Sequence, residues 1–163
     1  MVKLETSMGD IIIELYPEKA PQTVENFLAY VDSGAYDGTV FHRIINGFMI
    51  QGGGMDKDMR LRNANSPIAN EAGNGLKNLA YTVAMARGED PHSASNQFFI
   101  NVKNNSFLDH PGQDGWGYAV FGKVSKGHNV VNKIKAVATA SRQGHDDVPV
   151  SAVEIIKAAR LAQ

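Results

Sequence analysis

Short apolar runs, each cut off by a glycine-containing turn, recur along this chain, and only two stretches depart from them toward helical spacing. The runs are rich in β-branched and aromatic residues, which suit a pleated, half-buried surface. "VKLET" and "DIIIELY" flank a turn at Ser7, Met8 and Gly9 and predict a hairpin. "FHRIINGFMIQGGG" (41–54) predicts two more strands, and "YTVAMA" (81–86), "NQFFIN" (96–101) and "YAVFGKV" (118–124) one each. "SAVEIIKAA" (151–159) fits strand or helix by pattern, and the alternation of Val153, Ile155 and Lys157 favours strand. In "APQTVENFLAYVDSGAY", Val24, Phe27, Leu28 and Val31 fall on one helical face. Pro21 suits its first turn and Gly34 its C-terminal stop. "NVVNKIKAV" (129–137) predicts a second short helix with Val130, Val131 and Ile134 inward. Many short strands with two helices predict a mostly β chain built as a closed antiparallel barrel.

A length of 163 residues suits one domain, here residues 1–163, with a full-sized core. Sixteen basic against 17 acidic residues give a net charge of -1, too little field to recruit nucleic acid or an anionic membrane. The chain has no cysteine, which removes disulfide and thiolate chemistry. "MVKLETSMGD" carries no signal-like apolar run. No apolar stretch approaches the roughly 20 residues needed to span a bilayer. A cytoplasmic location is therefore expected. His42, His92, His110, His128 and His145 show no HxxxH or HxH spacing, so neither a metal nor another cofactor is expected. "GGG" at 52–54 precedes no amphipathic helix and no GK[ST], so it reads as a turn at a strand end. Residues 52–80, rich in glycine and asparagine, read as a long ordered surface excursion. Within it "KDMRLR" reads as a solvated charged loop, and Trp116, further on, as a loop anchor. No exposed apolar stripe stands out, so a monomer is expected.

Arg43 is the anomaly. It sits in an apolar strand with no acid in residues 41–54. Its guanidinium either snorkels to water or has a task. The hairpin loop decides what lies beside it. A two-residue Asn46–Gly47 turn would put Arg43 on the opposite face from Met49 and Gln51. A three-residue loop, Asn46 to Phe48, pairs Ile45 with Met49 and Arg43 with Gln51, so that Arg43, Met49 and Gln51 share a face. The longer loop is predicted. His42 then points to the other face. Alternation in "NQFFIN" likewise sends Gln97 and Phe99 to one face and Phe98 and Ile100 to the other.

Four segments together resemble the cyclophilins, the peptidyl-prolyl cis-trans isomerases: "FHRIINGFMIQGGG", "MARGEDPHSASNQFFI", "SFLD" with the following "YAVFGKV", and "APQTVENF". The resemblance runs in order from about residue 5 to residue 158 and is closest to the short cytoplasmic bacterial members. It implies an eight-stranded closed antiparallel β-barrel capped by two α-helices, with the active groove on the outer wall. It implies that Phe48, Met49, Phe99 and Leu108 form a proline pocket. Gln51 would orient Arg43 and the substrate carbonyl, and the backbone at Ala86 and Arg87 would pair with the substrate chain. Gln97, Phe107 and Tyr118 complete the implied substrate-binding set. The family commonly has Asn where this chain has Arg87, a change that costs little if only the main chain is used. Members sensitive to cyclosporin carry Trp at the position of Phe107 and His at that of Tyr118, so weak cyclosporin binding is expected here.

The chemistry explains why an arginine would suit. Amide resonance sets a barrier of about 18–20 kcal/mol to rotation. Partway round, the proline nitrogen loses conjugation and becomes a lone-pair acceptor. A donor aimed at that nitrogen binds the twisted state better than either planar one. No nucleophile, metal or proton transfer is required. The partners implied are proline-containing peptides and folding proteins. The residues alone leave two readings open, an isomerase or a module that holds such peptides without turnover.

Overall fold

The computed structural model describes residues 1–161. The chain opens with the predicted hairpin, β1 (Val2–Thr6) and β2 (Gly9–Leu15). In β1 every second residue, Val2, Leu4 and Thr6, is buried. Helix α1 (Pro21–Asp32) follows, with the proline at its start and no side-chain cap of its own at Ala20. Glu71, from the long excursion, takes the place of a cap. Its carboxylate accepts from Thr23 N at 2.7 Å and from Thr23 Oγ1 at 2.6 Å. A carboxylate there meets the unpaired N–H groups and the positive end of the helix dipole.

Two short strands come next, β3 (Thr39–Val40) and β4 (Arg43–Ile45), then β5 (Met49–Gly52). Beyond the excursion lie β6 (Thr82–Met85), β7 (Phe98–Asn101) and β8 (Val120–Lys126), with a single 3-10 turn at Ser106–Leu108. Helix α2 (His128–Lys135), strands β9 (Thr139–Arg142) and β10 (His145–Pro149), and β11 (Glu154–Arg160) complete the chain. Of the run at 151–159, residues 154–159 are strand; Val153 and Ile155 are buried as alternation predicts, but a bulge opposite Glu5 and Thr6 shifts the period, so that Lys157 is exposed and Ala158 buried.

Nine strands form one antiparallel sheet in the order β3-β11-β1-β2-β8-β6-β7-β5-β4. Its two end strands, β3 and β4, are consecutive in the chain and separated only by Phe41 and His42. The three Cα–Cα steps from Val40 to Arg43 span at most about 11 Å. The sheet must therefore curl until its ends nearly meet. The eight strands expected are nine in this ladder, because the stretch 39–45 bends and pairs with β11 on one side of the bend and with β5 on the other. A separate ribbon of β9 and β10 was not anticipated. It is mostly polar and exposed, with Val148 and Pro149 buried at its end, so it lacks the apolar alternation that reveals strands. Its turn is Gln143–Gly144, both with positive φ, rather than the usual Asn-Gly.

The main core is aromatic. The Phe27 ring of α1 lies 5.4 Å from Phe98, 5.1 Å from Phe121 and 5.3 Å from Tyr36, centroid to centroid. Val130, Val131 and Ile134 of α2 join the same core, together with Ile44, Ile50 and Ile100. A second, smaller cluster gathers Met49, Ala84, Phe99, Leu108 and Val120. Alternation along β5 and β7 divides the two: Ile50 and Phe98 face the large core, Met49 and Phe99 the small one.

Candidate active site

The β4–β5 hairpin fixes the first half of the site. Arg43 pairs with Gln51, Ile44 with Ile50 and Ile45 with Met49, leaving a three-residue loop of Asn46, Gly47 and Phe48. Phe48 N donates back to Ile45 O at 3.0 Å. Gly47 has φ +81°, a conformation that glycine adopts without a Cβ clash. This register brings Arg43, Met49 and Gln51 to one face, as predicted. The neighbouring β7 pairs Gln51 with Phe99, which adds Phe99 to that face.

A pocket of about 440 Å³, its open mouth included, lies over this face. Arg43, Phe48, Met49 and Gln51 line one side. Ala86, Arg87, Phe99, Leu108 and Tyr118 line the rest. Met49 and Phe99 form an apolar floor, at 2% and 4% exposure. Gln97 lines an adjoining, more polar pocket with Ser93 and Ser95. Phe107 does not line the pocket. It is half exposed, and its ring sits 5.6 Å from that of Phe48 at the rim.

The polar side of the pocket is a short relay. Arg43 Nη1 donates to Gln51 Oε1 at 3.3 Å, and Gln51 Nε2 donates to Gln97 Oε1 at 2.8 Å. Gln97 packs so closely on Gly54 that a Cβ there would lie 2.4 Å from its Cγ. The glycine run at 52–54 is thus a close backbone approach that seats the relay. Arg43 is exposed and makes a single, long side-chain bond, so most of its donors face solvent.

Arg87 behaves differently. Only 3% of its side chain is exposed, and it bonds Asp114 Oδ2 at 2.6 Å and Gly117 O at 2.8 Å. Its guanidinium carbon lies 4.3 Å from the centroid of the Tyr118 ring, which packs edge-on against Phe99. Backbone N–H groups of Gly117 and Trp116 and the Arg87 guanidinium hold Asp114 well below the usual carboxylate range. The sequence reading weighed only the main chain at Arg87. The side chain is instead a buried strap between the pocket wall and the loop at 109–118.

His42, on the opposite face from Arg43, is buried, and its Nδ1 has no partner among the described residues. Burial pulls its pKa down to about 4, with the charges of His145 and Arg43 adding to the effect. Trp116 stacks edge-on against His92 at 4.5 Å, consistent with a loop anchor. No three His, Asp or Glu side chains gather into a metal-binding group among the described residues. No helix among them is long and apolar enough to cross a membrane. Sequence reasoning missed Asp114, Leu76, Asn78 and Asn105, all of which pack or bond around the pocket. They lie in segments without periodicity.

A curled antiparallel sheet thus carries an apolar pocket, with the Arg43 guanidinium, bonded only to Gln51 among the described residues, along its lining. Comparison with known proteins makes the class specific. Residues 1–160 match the family described as cyclophilin type peptidyl-prolyl cis-trans isomerase/CLD, and the chain belongs to that family. It is 59% identical over 162 residues to the peptidyl-prolyl cis-trans isomerase cyp18 of Streptomyces antibioticus, covering 98% of this chain and 97% of that one. It is 54% identical over 151 residues to peptidyl-prolyl cis-trans isomerase B of Escherichia coli K12, covering 91% and 92%. A cyclophilin-type isomerase of Cryptosporidium parvum, crystallised in the presence of the dipeptide Ala-Pro, superposes with a TM-score of 0.80 at 27% identity, with 99% of each chain covered. The chain is thus a peptidyl-prolyl cis-trans isomerase by family, and that family acts on proline-containing peptides and proteins.

Proposed function

We propose that Arg43 is the catalytic residue and that Gln51 positions it. The observation that carries this is the exposed guanidinium at an apolar pocket, tethered to Gln51 on one edge with its other donors free among the described residues. The proline ring enters between Phe48, Met49, Phe99 and Leu108. Rotation brings the pyramidal nitrogen toward the Arg43 donors, which bond it only in the twisted state. Gln51, held by Gln97, keeps one edge of the fork fixed and offers its amide to the substrate carbonyl. The main chain at Ala86 and Arg87 pairs with the substrate backbone. A charge-assisted hydrogen bond contributes about 1.5–3 kcal/mol, so Arg43 shares the work with water exclusion in the pocket. The test is turnover of an X–Pro peptide by Arg43→Ala. Near-full catalysis in that variant would remove Arg43 from the role.

The same reading extends to the whole molecule. The described sheet closes as an eight-stranded barrel when the bent segment 39–45 is counted as one strand serving both ends, and the two helices cap it. Residues 1–163 act as a single domain, a cytoplasmic monomer without cofactor or metal. Phe107 and Tyr118 border the groove and make cyclosporin a weak ligand.

A further inference from the structure

Three asparagines lie buried behind the pocket, and none of them lines it. Asn78 sits in the excursion, Asn101 ends β7, and Asn105 precedes the 3-10 turn, at 1%, 0% and 0% exposure. They bond in series. Asn105 Nδ2 donates to Asn101 Oδ1 at 2.8 Å, and Asn101 Nδ2 donates to Asn78 Oδ1 at 3.0 Å. Asn105 N also donates to Asn78 O at 2.8 Å. Thr82 Oγ1 accepts a second bond from Asn101 Nδ2 at 3.0 Å.

The series ends on the pocket walls. Asn105 Nδ2 donates to Phe48 O at 2.8 Å. Asn78 Nδ2 donates to Tyr118 O at 3.3 Å, and Asn78 N donates to Asp109 Oδ1 at 2.6 Å. Leu108 N in turn donates to Asn105 O at 3.0 Å, and Tyr118 N to Leu108 O at 2.9 Å. Phe48, Leu108 and Tyr118 come from a hairpin loop, a 3-10 turn and the lead-in to β8. No strand ladder fixes any of them. Their spacing is set by these side-chain and backbone bonds together, with Val102 N adding a bond to Phe48 O at 3.1 Å.

Asparagine suits the series, because Asn78 and Asn101 must each donate and accept at once through one side chain, which neither an ionised Asp nor Leu can do, and Asn105 must donate twice. Asn105 Oδ1 is buried without a partner among the described residues. A buried acceptor left unpaired is costly. Its retention fits a side chain kept for its two donor bonds.

We propose that Asn78, Asn101 and Asn105 are positioning residues that set the width of the proline pocket through Phe48, Leu108 and Tyr118. The inference rests on the reading of that pocket as the proline site. The network touches neither Arg43 nor Gln51, so it governs proline affinity and leaves the rotation step alone.

Steady-state kinetics on an X–Pro peptide test it. Asn105→Ala loses both donor bonds, each worth a few-fold in affinity, so KM rises roughly tenfold while kcat stays within about twofold. A variant that merely unfolds more would show the reverse, a lower apparent kcat at unchanged KM. Asn78→Ala raises KM by a similar factor. The double variant raises it by less than the product of the two, because both cut one chain. Thr82→Val removes an outer link only. It keeps the test decisive should the asparagine variants not fold, with a KM rise of about twofold. Unchanged KM in the folded variants, or effects that simply multiply, overturns the proposal. A Phe99→Ala variant that turns over the same peptide with unchanged KM would instead overturn the reading of the pocket.

Discussion

Two arginines face each other across one pocket and do opposite things. Arg43 is exposed and makes one side-chain bond of 3.3 Å. Arg87 is buried, with its fork committed to Asp114 and to the carbonyls of Gly88 and Gly117 and its plane near Tyr118. A guanidinium available to a substrate is one whose donors the protein has left unused. Residue type does not distinguish the two, and neither does distance to the pocket. The count of satisfied donors does.

The largest effect expected from this contrast is at Arg43. Arg43→Ala should lower kcat and kcat/KM together by roughly 10- to 150-fold, the equivalent of one charge-assisted hydrogen bond made only in the twisted state. Peptide affinity, read by titration, should stay nearly constant. Arg43→Lys should lose most of the rate too, since a single flexible ammonium does not reproduce the fork. A large loss of affinity in either variant would make Arg43 a binding residue and erase the contrast.

The strand that presents Arg43 to solvent buries its neighbour His42. The ordinary pKa of 6.5 falls to about 4 in the folded chain, mainly through burial. Between those values the unfolded chain takes up a proton that the folded chain refuses. Stability is therefore full above pH 6.5 and declines as pH falls toward 4, by up to about 3 kcal/mol. Urea unfolding across that range should show the slope, and His42→Gln should flatten it. Activity should stay level from about pH 6 to 9, because none of the side chains placed at the reacting bond titrates there. A bell-shaped rate profile belonging to the enzyme would bring an acid–base group into the mechanism.

Arg87→Ala sharpens the other side of the comparison. It removes two short hydrogen bonds and a cation–π contact, on the order of 2 kcal/mol of stability. Its mark on kinetics should be a raised KM with kcat changed by less than about threefold, because Tyr118 and the 109–118 loop lose their strap. Denaturation midpoints and KM measured on one preparation check both. A fall in kcat comparable to that of Arg43→Ala would give the two arginines the same role.

How much of this could be read beforehand follows the same division. The helices, the β1–β2 hairpin and the facing of Phe98 against Phe99 all rest on periodicity, which is visible in residue order. The register of Arg43 with Gln51 followed from asking which loop length puts both on one face. The β9–β10 ribbon escaped because its buried residues, Val148 and Pro149, are adjacent at one end and the rest shows no apolar alternation. The strap of Arg87 to Asp114 and the link of Asn78 to Asn101 join residues 27 and 23 positions apart, and Asn105, four residues past Asn101, lies outside any periodic segment. Side-chain bonds of that kind leave no trace in sequence spacing, since any of several polar neighbours could have served. Glu71, which caps α1 across 48 residues, was illegible for the same reason.

The smallest expected effect lies at the rim, where neither arginine reaches. Phe107 is half exposed and stacks on Phe48 without entering the pocket. Cyclosporin-sensitive members of the family carry Trp there, whose indole N–H is a donor that phenylalanine lacks. One such bond is worth about 0.5–1.5 kcal/mol, a few-fold to roughly tenfold in affinity. Phe107→Trp should therefore tighten inhibition by cyclosporin by that factor. Peptide kcat/KM should change little, because Arg43, Gln51 and the pocket floor are untouched. Tyr118, the other departure, is held under the Arg87 guanidinium and against Phe99, so its ring is not free to make way for a bulky cyclic peptide. An unchanged inhibition constant in Phe107→Trp would shift the cause to that clamped tyrosine. Inhibition would then tighten in Arg87→Ala, which frees the ring, and the buried arginine would prove to control ligand choice at the rim as well as the pocket wall.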